Sequence, residues 1–243
     1  MPVERLVAMT KVAVLDNSLD PEVYKPVLHW SRWLTEEWTS FRAPEGRLPR
    51  LSDGYTHLIL TGSEASILNR DRWVDAEVDL VRNALDQGVS ILGSCYGHQL
   101  LALAIGGPSY IRRCKKPEIG WLPLRILVDT PILGPVGIAY AFTIHFDEVV
   151  DPNGLFRVLA ETPGCRIHAF QYGERSVWGI QAHPEINVED GRELLKAEIE
   201  RAYQGAKLLE LALRSVPRDT ELIRSIVPAF LGARRHPKIA DRT

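Results

Sequence analysis

The segment Ile91–Gly107 reads "ILGSCYGHQLLALAIGG", and it dictates its own local geometry. With Val89 and Ser90 before it, its apolar start reads as a short buried strand and its apolar end as a helix. Only Gly93-Ser94-Cys95-Tyr96-Gly97 join the two. A strand-to-helix turn that tight forces its central residue into a strained backbone conformation. Glycines two residues to either side remove the side chains that would collide there. Cys95 then stands at a helix start, where the positive end of the macrodipole favours thiolate, the reactive form of the side chain. The segment alone leaves two readings open. Cys95 is a nucleophile on an elbow, or it is a structural thiol, since free cysteine is among the most buried residue types.

The surrounding chain repeats the strand-then-helix pattern. "KVAVLD" (Lys11–Asp16) and "THLILTG" (Thr56–Gly62) are short apolar runs ended by turn formers, and "EWTSFRA" reads as a further strand. "PEVYKPVLHWSRWLTE" reads as a helix despite Pro26. Val74, Val78, Val81 and Leu85 share one helical face, with Asp71 placed to cap the start and Gly88 the end. Strands apolar on both faces, alternating with helices, predict an α/β fold with a mostly parallel central sheet covered on both sides.

From about Ser109 the texture changes. "SYIRR", "IGWLPLRILV", "GIAYAFTIHF", "RVLAET", "CRIHAFQY" and "SVWGIQAH" are β-rich runs with no helix between them. They predict hairpins or a small antiparallel β layer attached to the sheet. After Glu185 a long helix is expected, with an apolar stripe of Leu194, Leu195, Ile199, Ala202 and Tyr203. "TELIRSIVPAFL" predicts one more helix, kinked or interrupted at Pro228, and the polar tail "GARRHPKIADRT" is expected to fray.

A formal net charge of -2 implies no strongly basic surface, so nucleic acid is not an expected partner. No run of 18 apolar residues is present, so no membrane span is expected, and the N-terminus lacks a signal-peptide pattern. The 3 cysteines form no CxxC pair and show no zinc-ligand spacing. A reducing, cytoplasmic setting is the simplest expectation.

A nucleophilic cysteine needs a base. Among 7 histidines, His29 and His57 fall in amphipathic or strand contexts and read as ordinary surface or core residues. His183 differs. It ends the strand candidate "SVWGIQA" and precedes Pro184-Glu185. A histidine at a strand end can project into the crevice where an elbow cysteine emerges. Glu185 is close enough in sequence to orient the imidazole. Alone, His183 is more often a satisfied structural histidine. Joined with Cys95 and Glu185, it completes a nucleophile, base and orienter.

"GSCYGHQLLA" together with "GIQAHPE" resembles the class I (triad-type) glutamine amidotransferases, whose motifs are G-x-C-x-G-x-Q and Q-x-H-P-E. Both are complete here, as Gly93, Cys95, Gly97 and Gln99, then Gln181, His183, Pro184 and Glu185. The resemblance covers roughly residues 9 to 190. It implies a flavodoxin-like amidotransferase domain over 1–190 and leaves 191–243 as a helical C-terminal extension. "LILTGSEAS" falls where the family has a strand ending in a glycine loop, usually Gly-Gly-Pro. The resemblance implies that backbone N–H groups of Ser63 and Tyr96 form an oxyanion hole, with Gly62 carrying the turn beside the substrate. "PEIGW" resembles the family's Glu-x-Gly element. "IHFDEV" resembles its His-Gly-Asp segment, with His145 and Asp147 matched and Phe146 in place of glycine. That segment lines the glutamine pocket in relatives, which implies substrate contacts from Gln99, His145 and Phe146.

The implied chemistry is hydrolysis of a γ-glutamyl amide through a γ-glutamyl thioester on Cys95, with no metal or organic cofactor. No synthase domain is expected to accompany the amidotransferase part within these 243 residues. One expectation is therefore a glutaminase that passes ammonia to a partner synthase or ligase. The other is a free-standing hydrolase of γ-glutamyl peptides or conjugates, toward which Phe146 leans. A catalytically silent binding protein on the same fold is a third possibility, and the intact triad argues against it.

Overall fold

The computed structural model describes residues 9–201 and 206–233. The expected parallel strands form as β1 (Lys11–Asp16), β2 (Glu37–Arg42), β3 (His57–Leu60) and β4 (Ser90–Ser94). Helix α1 (Pro26–Ser31) lies between β1 and β2, α2 (Val74–Asp86) between β3 and β4, and α3 (Tyr96–Gly106) after β4. The β-rich stretch supplies β5 (Ile111–Ile126), β6 (Gly137–Val149), β7 (Phe156–Glu161), β8 (Ala169–Tyr172) and β9 (Val177–Ile180). Helices α4 (Val188–Glu200), α5 (Ala206–Arg214) and α6 (Ile223–Leu231) follow.

The described strands make one sheet in the order β2-β1-β3-β4-β9-β8-β7-β5-β6. Pairings from β2 through β9 are parallel, and those from β9 to β6 are antiparallel. The central sheet flanked by helices is as the sequence predicts. The antiparallel strands are not a separate layer, however. They continue the same sheet, because β9 pairs β4 in parallel on one edge and β8 in antiparallel on the other.

Strand alternation builds the two faces. Ala13, Leu15, Leu58, Leu60 and Ile91 pack with Val78 and Val81 of α2 and Leu100 and Leu101 of α3. Val12, Val14, Ile59 and Leu92 point the other way and pack with Trp30 of α1 and Ile223, Ile226, Val227 and Phe230 of α6. The C-terminal region thus covers one face of the sheet. Leu194, Leu195, Leu209 and Ala212 bury against Trp121 and Phe142 of β5 and β6.

Four local expectations are corrected. The first helix shrinks to Pro26–Ser31, because Pro26 at its first turn keeps Lys25 out of helical geometry at φ -112, ψ 60. Asp71 does not cap α2 with its side chain; the N-cap is Trp73, and Asp71 contributes its backbone carbonyl to the Val74 N–H at 2.9 Å. "SYIRR" and "IGWLPLRILV" merge into one strand, β5, whose register shifts between Arg113 and Glu118. "CRIHAFQY" is a strand only over its last four residues. Gly88 does close α2, at φ 70. Ala202, Tyr203 and the tail from 234 lie outside the described residues.

Candidate active site

Cys95 sits between β4 and α3 at φ 49, ψ -108, a region L residues rarely occupy. The flanking glycines are required by backbone, not by preference. A Cβ at Gly93 would lie 2.4 Å from the Gly97 carbonyl oxygen, and one at Gly97 would lie 2.1 Å from the Leu60 carbonyl oxygen. The elbow is pinned from both sides: the Cys95 N–H donates to Ile180 O at 2.9 Å, and the Gly97 N–H donates to Thr61 O at 3.0 Å.

Because β9 lies beside β4, the residues following it emerge next to the elbow. The His183 N–H donates to Phe142 O at 2.8 Å, and its Nδ1 lies 2.9 Å from Glu185 Oε1. A carboxylate only accepts, so Nδ1 carries the proton of that contact and Nε2 is left for chemistry. Burial alone would push the His183 imidazole down. The negative charges of a Cys95 thiolate and of Glu185 beside it prevail, and it is pushed up to about 10. Gly62 makes room for this ring: a Cβ there would be 2.6 Å from His183 Cε1. Gly62 therefore lies against the His183 ring and the Tyr24 hydroxyl.

Tyr24 has no place in either motif, yet its hydroxyl donates to Glu185 Oε1 at 3.1 Å and lies 3.3 Å from His183 Nδ1. Its ring meets the imidazole edge-on at 5.6 Å. Burial first, then the charges of Glu185 and Cys95, push its phenol well above the usual value, so it stays a neutral donor. Its only sequence signal is position. It follows the first strand at the carboxyl edge of the parallel sheet, where ligand crevices form.

Cys95, His183, Ser63, Tyr96, Gln99, His145 and Phe146 all border one cavity of about 250 Å³. Among the described residues, neither the Ser63 nor the Tyr96 backbone N–H has a protein acceptor. Gln99 Nε2 donates to Asp147 O at 2.8 Å and lies 3.3 Å from Gln181 Oε1, which ties α3 to β6. His145 borders the cavity with both ring nitrogens already engaged: Nδ1 is 3.0 Å from Asp147 O and Nε2 is 3.2 Å from Glu118 Oε2. Arg113 was not singled out by sequence; it forms an ion pair with Asp147 at 3.0 Å on the cavity wall. The Ser66 hydroxyl donates to the other Asp147 oxygen at 2.5 Å.

Residues 45–202 match the family model described as glutamine amidotransferase class-I. The chain is 33% identical over 144 residues to a glutamine-hydrolyzing GMP synthase component from Sulfolobus acidocaldarius, covering 58% of this chain and 74% of that one. It is 28% identical over 211 residues to gamma-glutamyl peptidase 2 of Arabidopsis thaliana, covering 82% of this chain and 84% of that one. Its fold is like that of a glutamine amidotransferase from Thermotoga maritima, with a TM-score of 0.71 at 20% identity over 93% of this chain and 99% of that chain. The strained cysteine, the carboxylate-paired histidine and these matches agree: this chain belongs to the class-I glutamine amidotransferase family.

Proposed function

We propose that this protein hydrolyses the γ-amide of glutamine through Cys95, His183 and Glu185. The observation that carries the reading is the strained Cys95 beside a buried His183 whose Nδ1 is held 2.9 Å from Glu185. The Cys95 thiolate attacks the side-chain carbonyl carbon. A C–S bond forms, and the oxygen takes the negative charge, which the Ser63 and Tyr96 N–H groups stabilise. Collapse of this intermediate expels nitrogen, which takes a proton from His183 Nε2 and leaves as ammonia. A water then gives a proton back to His183 and attacks the γ-glutamyl thioester, releasing glutamate and the Cys95 thiolate. Gln99 and the Phe146 edge hold the amino-acid end of the substrate, and His145 acts behind that wall as a positioning residue. The ammonia passes to a synthase or ligase partner. No described helix is long and apolar enough to cross a membrane.

A second reading uses the same triad on γ-glutamyl peptides. Phe146 stands where the family pattern has glycine, and the alignment with the plant peptidase spans more than four-fifths of both chains. Ammonia release from glutamine and cleavage of a γ-glutamyl peptide panel, measured on one preparation, separate the two. Cys95→Ala is expected to abolish both while keeping the circular dichroism of the wild type. An unchanged rate in that variant sinks the triad, and turnover of peptides alone sinks the glutaminase reading.

A further inference from the structure

Behind the cavity wall, Glu118 of β5, His145 of β6 and His168 just before β8 converge. One donor atom from each falls within 4.8 Å of the others. Both histidines are buried and Glu118 nearly so. Glu118 Oε2 lies 3.2 Å from His145 Nε2 and 3.9 Å from His168 Nε2. A tetrahedral ion with ligand bonds of ~2.1 Å places its ligand atoms ~3.4 Å apart, and the two Glu118 edges fall either side of that length.

His145 Nδ1 lies 3.0 Å from Asp147 O and 3.3 Å from Cys114 Sγ, while its Nε2 faces Glu118 Oε2 at 3.2 Å. His168 is fully buried, and neither of its ring nitrogens has a hydrogen-bond partner among the described residues. Buried polar groups are costly in that state. A divalent cation between the three gives His145 Nε2, His168 Nε2 and the Glu118 carboxylate a shared partner.

The supporting groups are those such a site uses. With Nε2 on the ion, His145 Nδ1 would carry the ring proton toward the Asp147 carbonyl 3.0 Å away, and Thr162 Oγ1 donates to Glu118 Oε1 at 2.6 Å. Gly164 leaves the space the carboxylate fills, since a Cβ there would stand 2.5 Å from Glu118 Oε1. We propose that Glu118, His145 and His168 form a buried site for a divalent transition metal of the zinc class. The ion braces β5 and β6 against the segment entering β8, and it holds the His145–Asp147 wall of the cavity. The role is structural and does not enter the triad chemistry.

The test uses the full chain, stripped with a chelator and desalted. Titration with Co²⁺ is expected to show the visible bands of a four-coordinate site at one equivalent, which Zn²⁺ abolishes, and Zn²⁺ is expected to raise the thermal midpoint. His168→Ala and Glu118→Gln should weaken Co²⁺ binding by about 100-fold or more, since losing even a supporting partner costs about 10–100-fold. Cys95→Ala should bind as the wild type does. X-ray absorption of the wild-type Zn²⁺ adduct, which needs no variant to fold, should show a shell of nitrogen and oxygen only. Absence of the cobalt bands and of any zinc-dependent stabilisation in the wild type overturns the proposal. So does sulfur in the shell, loss of binding in Cys95→Ala, or full binding by folded His168→Ala.

Discussion

Replacing Glu185 by glutamine keeps the volume beside His183 and removes its charge. With unit charges about 4 Å apart and an effective dielectric near 20, the lost attraction is ~4 kcal/mol. At 1.36 kcal/mol per pKa unit, that is about 3 units. His183, held at about 10 in the intact site, should fall to about 7 in Glu185→Gln. At pH 8 only about a tenth of the variant would carry the imidazolium that protonates the leaving nitrogen, a loss of about 10-fold. The second cost is geometric. If the glutamine turns its amide nitrogen toward Nδ1, the ring proton moves to Nε2 and the base is blocked; the matching acid-to-amide change in a serine protease costs ~10⁴. The expected fall in kcat/KM at pH 8 is therefore from about 10-fold to ~10⁴-fold, and smaller at pH 6. The pH–rate profile and an NMR titration of the His183 ring measure it. Stability carries the same sign. The folded His183 value lies above the ~6.5 of an unfolded chain, so its contribution is complete below pH ~6.5 and lost as pH rises through about 10. In the variant that window closes near 7. A Glu185→Gln enzyme within about threefold of wild type at pH 8, with an unshifted alkaline limb, would refute the reasoning.

Two further perturbations probe what surrounds the triad. Tyr24→Phe removes a hydrogen bond to a charged carboxylate, worth ~1.5–3 kcal/mol, so kcat should fall by about 10-fold or more with KM little changed; steady-state kinetics with an unaltered kcat would remove Tyr24 from the site. Gly97→Ala forces a Cβ to 2.1 Å from a backbone carbonyl that cannot rotate away, so the fold should lose ~3 kcal/mol, read by urea unfolding; a loss under ~1 kcal/mol would mean the β3–α3 contact is looser than described.

The sequence by itself determined the main elements and the candidate pair of Cys95 and His183. Apolar runs of strand length alternating with helical stripes leave few ways to bury both faces, so the flanked central sheet was legible. Cys95 between two glycines and His183 two residues before Glu185 were legible because each is a local pattern, set by sterics or by reach along the chain. What lay beyond local pattern was decided only by the tertiary structure. The pairing of β9 with both β4 and β8, which joins two apparent layers into one sheet and delivers His183 to the elbow, depends on contacts distant in sequence. Tyr24 reaches Glu185 and His183 because the turn after β1 folds over the carboxyl edge of the sheet, and no periodicity records that. Gly62 leaves the room that the His183 ring fills, a fit between segments distant in sequence. Glu118, His145 and His168 come from three separate strands or their approaches and share no spacing a linear reading could find. Local sterics and periodicity are written in neighbouring residues; convergence of side chains across strands is written only in how the strands pack.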